Sequence, residues 1–471
     1  MPLHRRSRNS LVLRHRFGLA AAVLASLFGA LAAACEPSGD ASPGAAHGDG
    51  VDAAASSSPD AAPDLAAHAS FGTADAGPPL TARQLELARM QAHLDSLYAP
   101  ADVVHRFTTA GGDAVDCVPF QKQPGFAQVG SMNGAAPVLA SQLGIARAAS
   151  VAGFGDGSDA AGNVRTCPSG AVPIRRVTIN DLSRFATLED ALAKEPLHVR
   201  DQLDDSGFSH EHAGHSLEVA TWGAQTTINL WKPAVDADDI SISQLWVFGG
   251  TGNDLQTVEA GYIADPRSFH DPEPRLFIYS TTAAYHDILS GKACYDLECK
   301  AFVQLADSHI LLGGKFDKAS IPSGEQREFT LRWQFCPATQ CRDWEGWWLR
   351  YDGGATSEWV GFYPRSRFAT TGIHDAGERL EFGGEVAFTR GTTHTTTDMG
   401  SGQPPAGGFG VAAYQTNILN ITTGNVWAHL GPTATDDQAP SCYASTALTS
   451  LSRLPIDTFF FGGTGYSGAC Q

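Results

Sequence analysis

Positive charge is scarce in this chain of 471 residues, where 32 Lys and Arg face 50 Asp and Glu for a formal net charge of -18. Nucleic acids and anionic membrane surfaces are bound by clustered Lys and Arg, so neither is expected as a partner. Long apolar runs are also few. Beyond the first 35 residues none approaches the roughly 18 apolar residues of a membrane helix, so the remainder reads as soluble. No GxSxG, HExxH, Walker or dinucleotide fingerprint stands in a suitable context, which removes the common signatures of serine hydrolases, zinc peptidases, P-loop enzymes and dehydrogenases. Close cysteine pairs occur, but none is a C-x2-C knuckle and no histidine pair completes a zinc set. No cofactor or metal is expected.

The N-terminus carries Arg5, Arg6, Arg8, Arg14 and Arg16, then an apolar run over Leu19–Ala34, then Cys35 after three alanines. This is the order of a bacterial lipoprotein signal, with residues 1–34 as the signal peptide and Cys35 as the lipid acceptor. Ala32 stands where Leu is usual, and Leu31 lies one place further back, so an ordinary signal peptide with an incidental cysteine stays open. Residues 35–80 are mostly Ala, Ser, Pro, Gly and Asp, too poor in large apolar side chains to fold, and read as a spacer.

With Cys35 assigned to the lipid, Cys117, Cys167, Cys294, Cys299, Cys336, Cys341, Cys442 and Cys470 remain. An even number in an exported chain suggests disulfides. Cys294/Cys299 and Cys336/Cys341 would staple short loops, and Cys117/Cys167 and Cys442/Cys470 are the simplest longer bridges.

Leu85, Leu87, Met90, Leu94 and Leu97 fall near helical spacing and predict a helix over 80–98. A short helix is expected near 180–193, and the polar stretch 195–207 looks like a boundary. Beyond residue 215 short runs such as HSLEVATW, TTINLWK, ISQLWVF, TVEAGYI, RLFIYSTT, EFTLRWQF and RLEFGGEVAFT recur between turn residues. Many alternate in period two, and no helix-length periodic segment separates them, which predicts an antiparallel β-sandwich.

Two residue groups could carry chemistry. His210, Glu211, His212 and His215 lie in HEHAGH, either a divalent-metal site or a solvated histidine-rich loop, the latter being the plainer reading. Glu259 lies in TVEAGYI, and Glu381 and Glu385 share one face of RLEFGGEVAF. Carboxylates on strands beside glycine and aromatic residues have room for a ligand backbone, and two held close would share a proton and supply one base and one acid.

The strings VDCVPFQKQPGF (115–126) and CPSGAVPIRR (167–176) resemble the activation segment of neprosin-like proteins. TTINLWKP, ISQLWVFGG, DLQTVEAGY, ACYDLEC, WWLRY, LEFGGEV, MGSG and FFFGGTG resemble, in the same order, the neprosin domain that follows it. The resemblance spans about residues 80–471 and implies an all-β, glutamic-peptidase-like antiparallel sandwich at 210–471, preceded by a smaller α+β activation propeptide at 81–205. It implies a zymogen that cleaves protein or peptide substrates after proline at acidic pH; a monomer is expected. The family's two catalytic glutamates fall on Glu259 and Glu385, with Glu381 as the fallback. Gln244 is expected to hold an oxyanion and Trp246 to stack on a proline ring, with Tyr262 and Tyr279 as further substrate contacts. Plant relatives usually read EAGW and EWGGE, whereas Tyr262 and Phe382 stand here, which bears on pocket shape and the preference for proline. The alternative is a non-catalytic surface sandwich that binds carbohydrate or peptide.

Overall fold

The computed structural model describes residues 80–129, 167–194, 208–306, 308–353, 357–389, 393–431, 433–449 and 457–470. The expected signal peptide, Cys35, most of the spacer and the stretch 195–207 lie outside them.

The first part is mixed. Helix α1 (Ala82–Leu97) starts at a Thr81 capping box closed by Gln84, which satisfies backbone donors that a helix start leaves open. It buries Met90 and Leu97 and leaves Leu85 exposed, a narrower apolar stripe than the five hydrophobic positions suggest. Strands β1 (His105–Thr108), β2 (Ala114–Pro119) and β3 (Ala171–Arg175) form a three-stranded antiparallel sheet. The helix expected near 180–193 is two single turns, α2 (Ile179–Leu182) and α3 (Leu188–Leu192), because Thr178 and Thr187 each open a new cap. Met90, Leu182 and Leu188 make the small core of this part.

The second part is a large, curled antiparallel sheet built from β4 (Phe208–Asn229), β5 (Ile240–Gly249), β6 (Gln256–Ala264), β7 (Arg275–Thr281), β8 (Ala293–Tyr295), β9 (Val303–Gln304), β10 (Glu328–Cys336), β11 (Gly346–Asp352), β12 (Ser357–Pro364), β13 (Gly377–Thr389) and β14 (Ala413–Thr422), with further short strands. The order runs β8-β7-β6-β5-β13-β4-β10-β11-β12-β9, and β14 also pairs with β4. HSLEVATW and TTINLWK, which read as two strands, are one. The first half of β4 pairs with β13 and its second half with β10 and β14, so one long strand passes from one layer to the other. The crossing lies at Gly223, whose φ of +129° and whose approach to Trp333 leave no place for a side chain.

Period-two alternation gives the layer β7-β6-β5-β13 two different faces. Leu245, Val247, Val258, Ala260, Tyr262, Leu276, Ile278, Leu380, Phe382 and Val386 enter the main core, against Trp333, Trp347, Phe302 and Phe329 from the facing layer. The opposite face carries Gln244, Trp246, Glu259 and Glu385, beside a smaller cluster of Ile240, Ile242, Ile263, Phe277 and Tyr279. Ala193, at the end of the first part, is buried in that smaller cluster. Disulfides join Cys117 to Cys167, Cys294 to Cys299, Cys336 to Cys341 and Cys442 to Cys470.

Candidate active site

Register brings the two glutamates together. On β5, Gln244 lies opposite Gly383 of β13 and Gly261 of β6. Glu385 is two residues along β13 from Gly383, and Glu259 two residues along β6 from Gly261, so the two carboxylates flank Gln244 on one face. The glycines make this possible. A Cβ on Gly261 would lie 2.0 Å from the Ser243 carbonyl oxygen, and one on Gly383, at φ +157°, would lie 2.4 Å from that of Ala213.

Each glutamate has one oxygen tied back and one facing the gap. Glu259 Oε1 accepts from Thr257 Oγ1 at 2.8 Å and from the Tyr285 hydroxyl at 2.9 Å. Glu385 Oε1 lies 2.6 Å from His210 Nδ1, and Gln244 Nε2 donates to Glu385 Oε2 at 3.0 Å. The remaining position is filled by Lys194, from the residue after Ala193. Its ammonium donates to Glu259 Oε2 at 2.8 Å and to Glu385 Oε2 at 3.0 Å. The rings of Trp246, Tyr279 and Tyr285 surround the same nitrogen with centroids 5.8–5.9 Å away, within cation–π range.

All three charged groups are buried, with Lys194 6%, Glu259 0% and Glu385 2% exposed. Burial alone would lower the Lys194 pKa, but the two carboxylates raise it above the ordinary range. Burial alone would push the Glu385 carboxyl up, yet Lys194, then His210 and His212, hold it well below the ordinary range. Burial and then Glu259 and Glu385 push the Tyr285 hydroxyl well up, so it stays a neutral donor.

The cleft above this group, about 300 Å³, is lined by Lys194, His210, His212, Trp246, Phe248, Tyr285, Arg379, Glu381, Glu385, Asp436 and Gln438. Trp246 lies in it, and Gln244 is buried below it. Tyr279 shares the face but is covered, stacking on Tyr285 at 5.9 Å. Tyr262 does not reach the cleft. It is the neighbour of Gly261, so alternation turns it into the main core. Glu381 lines the cleft opposite Trp246, paired with Arg379 and apart from the Lys194 bridge. HEHAGH is strand, not loop, and alternation divides it. His210 and His212 face the cleft, whereas Glu211 binds His394 at 2.8 Å and His215 binds Thr433 on the other side, so the four do not form one ligand set.

Lys194, Tyr285 and Thr257 were not legible as site residues. Lys194 follows an unremarkable short helix and Tyr285 sits in a loop after β7. Thr257, two residues before Glu259, could have been found from the period of two.

Residues 237–464 match the Neprosin family model. Among solved structures, the chain is similar to "Scytalido-glutamic peptidase with a peptide based transition state analog", at 9% identity and a TM-score of 0.30, covering 55% of this chain and 99% of that one. A second structure of that peptidase with a transition state analog inhibitor gives 7%, 0.29 and the same coverages. SCP-B, a member of the Eqolisin family of peptidases in complex with the tripeptide Ala-Ile-His, gives 8% and 0.28, again over 55% and 99%.

Proposed function

We propose that this chain is the zymogen of a glutamic endopeptidase. One observation carries the reading: a single ammonium sits between the facing oxygens of two buried glutamates, at 2.8 and 3.0 Å. With Lys194 withdrawn, that position takes a water molecule within hydrogen-bond reach of both carboxylates. Two carboxylates so close do not both stay ionised without the cation, so they share a proton. The ionised one takes a proton from water as its oxygen attacks the scissile carbonyl. The protonated one gives its proton to the carbonyl oxygen, beside the Gln244 amide. When the C–N bond breaks, the proton gained from water passes to the leaving amine. Activity at acidic pH follows, because one of the pair must hold a proton.

The Neprosin resemblance supports cleavage after proline, and Trp246 on the cleft wall offers a flat ring for it. Residues 81–205 are then the propeptide, cut within 195–207, and 210–471 the mature enzyme. An exported, lipid-anchored precursor is part of the proposal, so that this cut frees the enzyme from Cys35 and its spacer. Full-length chain incubated in acid is to be assayed on a proline-containing peptide. Glu259→Gln and Glu385→Gln are each expected to lower hydrolysis by about 10³-fold or more in chains that still show a cooperative melting transition. Undiminished cleavage by either variant overturns the assignment.

A further inference from the structure

The two glutamates have unlike neighbours. Behind Glu259 stand two neutral hydroxyls, Thr257 and Tyr285. Behind Glu385 stand two imidazoles. His210 Nδ1 is 2.6 Å from Glu385 Oε1 and His212 Nε2 is 3.9 Å from the same oxygen. The two rings stack at 6.5 Å, and His212 also packs its edge on Trp246 at 5.9 Å. Both project from β4, opposite Ala387 and Glu385 of β13, and both line the cleft. They precede the span 237–464 that matches the family model.

Among the described residues, the other groups facing Glu385 do not provide a lasting cation. Gln244 on β5 is neutral, Glu259 on β6 is the partner carboxyl, and Tyr285 after β7 is a neutral donor. On β13 Arg379 is engaged by Glu381, and Asp436 and Gln438, the latter with its Oε1 3.1 Å from His212 Nδ1, line the cleft without adding positive charge. Lys194 is a strong cation here, but the zymogen reading has it leave. In the open enzyme the histidines are what distinguishes the two carboxylates.

We infer that His210, supported by His212, is a positioning residue that makes Glu385 the general base and leaves Glu259 as the general acid. This rests on the peptidase reading and deepens it. An imidazole titrates near ~6.5 in water, so at the acidic working pH it is an imidazolium. It then donates Nδ1–H to Glu385 Oε1, fixing the carboxylate and keeping it ionised, while Oε2 faces the water. Water gives its proton to Glu385 Oε2 as its oxygen bonds to the carbonyl carbon, and Glu259 gives its proton to the carbonyl oxygen. As the C–N bond breaks, the proton on Glu385 passes to the amine nitrogen, and the new acid's hydroxyl returns a proton to Glu259. Both carboxyls end as they began.

Two measurements test it on the full-length chain. Asn at position 210 keeps a donor near the place of Nδ1 but cannot carry charge, so in acid-activated His210→Asn the acid limb of the kcat/KM profile is expected to rise by about one pH unit. KM should change little. His210→Gln serves if the Asn variant does not fold. The second readout needs no activity: the Glu385 carboxyl is titrated by carbon-13 NMR in Lys194→Met, with and without His210→Asn. Titration about one unit higher in the double variant supports the inference. Coincident titration curves, or an acid limb that does not move, overturn it. A chain that hydrolyses no peptide in any form sinks the peptidase reading instead, and the carboxyl titration then still decides whether His210 sets the charge of Glu385.

Discussion

Lys194 does two opposite things at once. Its ammonium neutralises two buried carboxylates that could not otherwise both be ionised, and in the proposed mechanism it occupies the place of the hydrolytic water. Removing one partner of a buried ion pair typically costs about 3–5 kcal/mol, unless the remaining group neutralises itself by taking up a proton. Lys194→Met should therefore destabilise the precursor at neutral pH and less so in acid, where the carboxylates protonate. It should also let the uncut chain hydrolyse peptide, at least about tenfold faster than uncut wild type. Peptide assay of the uncut variant and melting curves over a pH series check both. The direction with pH follows from the shifts. The depressed Glu385 contributes stability above the ordinary carboxylate range and loses it as pH falls through its lowered folded value, while the raised Lys194 contributes below the ordinary lysine range and loses it only at high pH. Wild type should thus lose stability in strong acid, and Lys194→Met should lack part of that slope.

At the scale of the element, the site depends on how closely three strands approach. Gly261 gives β6 its close contact with β5 beneath Gln244, where a Cβ would sit 2.0 Å from one backbone oxygen and 2.6 Å from the Gln244 Cβ. Neither neighbour is the end of a flexible chain, so the backbone must shift. Gly261→Ala should cost about 3 kcal/mol or more, read as a lower melting temperature, and should lower hydrolysis further by moving Glu259 away from Glu385. A melting temperature equal to wild type would show that β5 and β6 tolerate the separation. The long strand β4 matters for a different reason. By staying extended through HEHAGH it aims His210 and His212 at Glu385 and sends Glu211 and His215 to the other side.

Across the whole molecule, the first part is held to the sandwich by polar contacts as well as by Lys194. Arg175 pairs with Glu298, Arg275 with Asp113 at 2.7 Å, and Gln123 exchanges hydrogen bonds with the backbone of Gln304. Among the described residues no disulfide crosses. Cys117–Cys167 lies within the first part, and Cys294–Cys299, Cys336–Cys341 and Cys442–Cys470 lie within the second. A chain cut within 195–207 should consequently run as two bands on a denaturing gel without reductant. One band there, resolved into two only by reductant, would mean a covalent link between the parts and would contradict release of a mature enzyme.

Alternation of residue types along strands was enough to read the antiparallel β class, and the family strings were enough to single out Glu259 and Glu385, because both signals are local in the chain. Gln244 and Trp246 followed from the same period of two. Tyr262 shows the limit of that reasoning: its aromatic character suits a cleft or a core equally, and only the face of β6 that meets the opposite layer decided for the core. The merging of two short runs into β4 depended on Gly223 accepting a close approach by a distant strand. The bridging of both glutamates by Lys194 depended on a contact 65 residues from one and 191 from the other. Strand character and residue chemistry are set by near neighbours, and so the sequence determined them. Which charges meet depends on sheet order and register, and only the tertiary structure decided that a lysine of the first part sits between the two glutamates of the second.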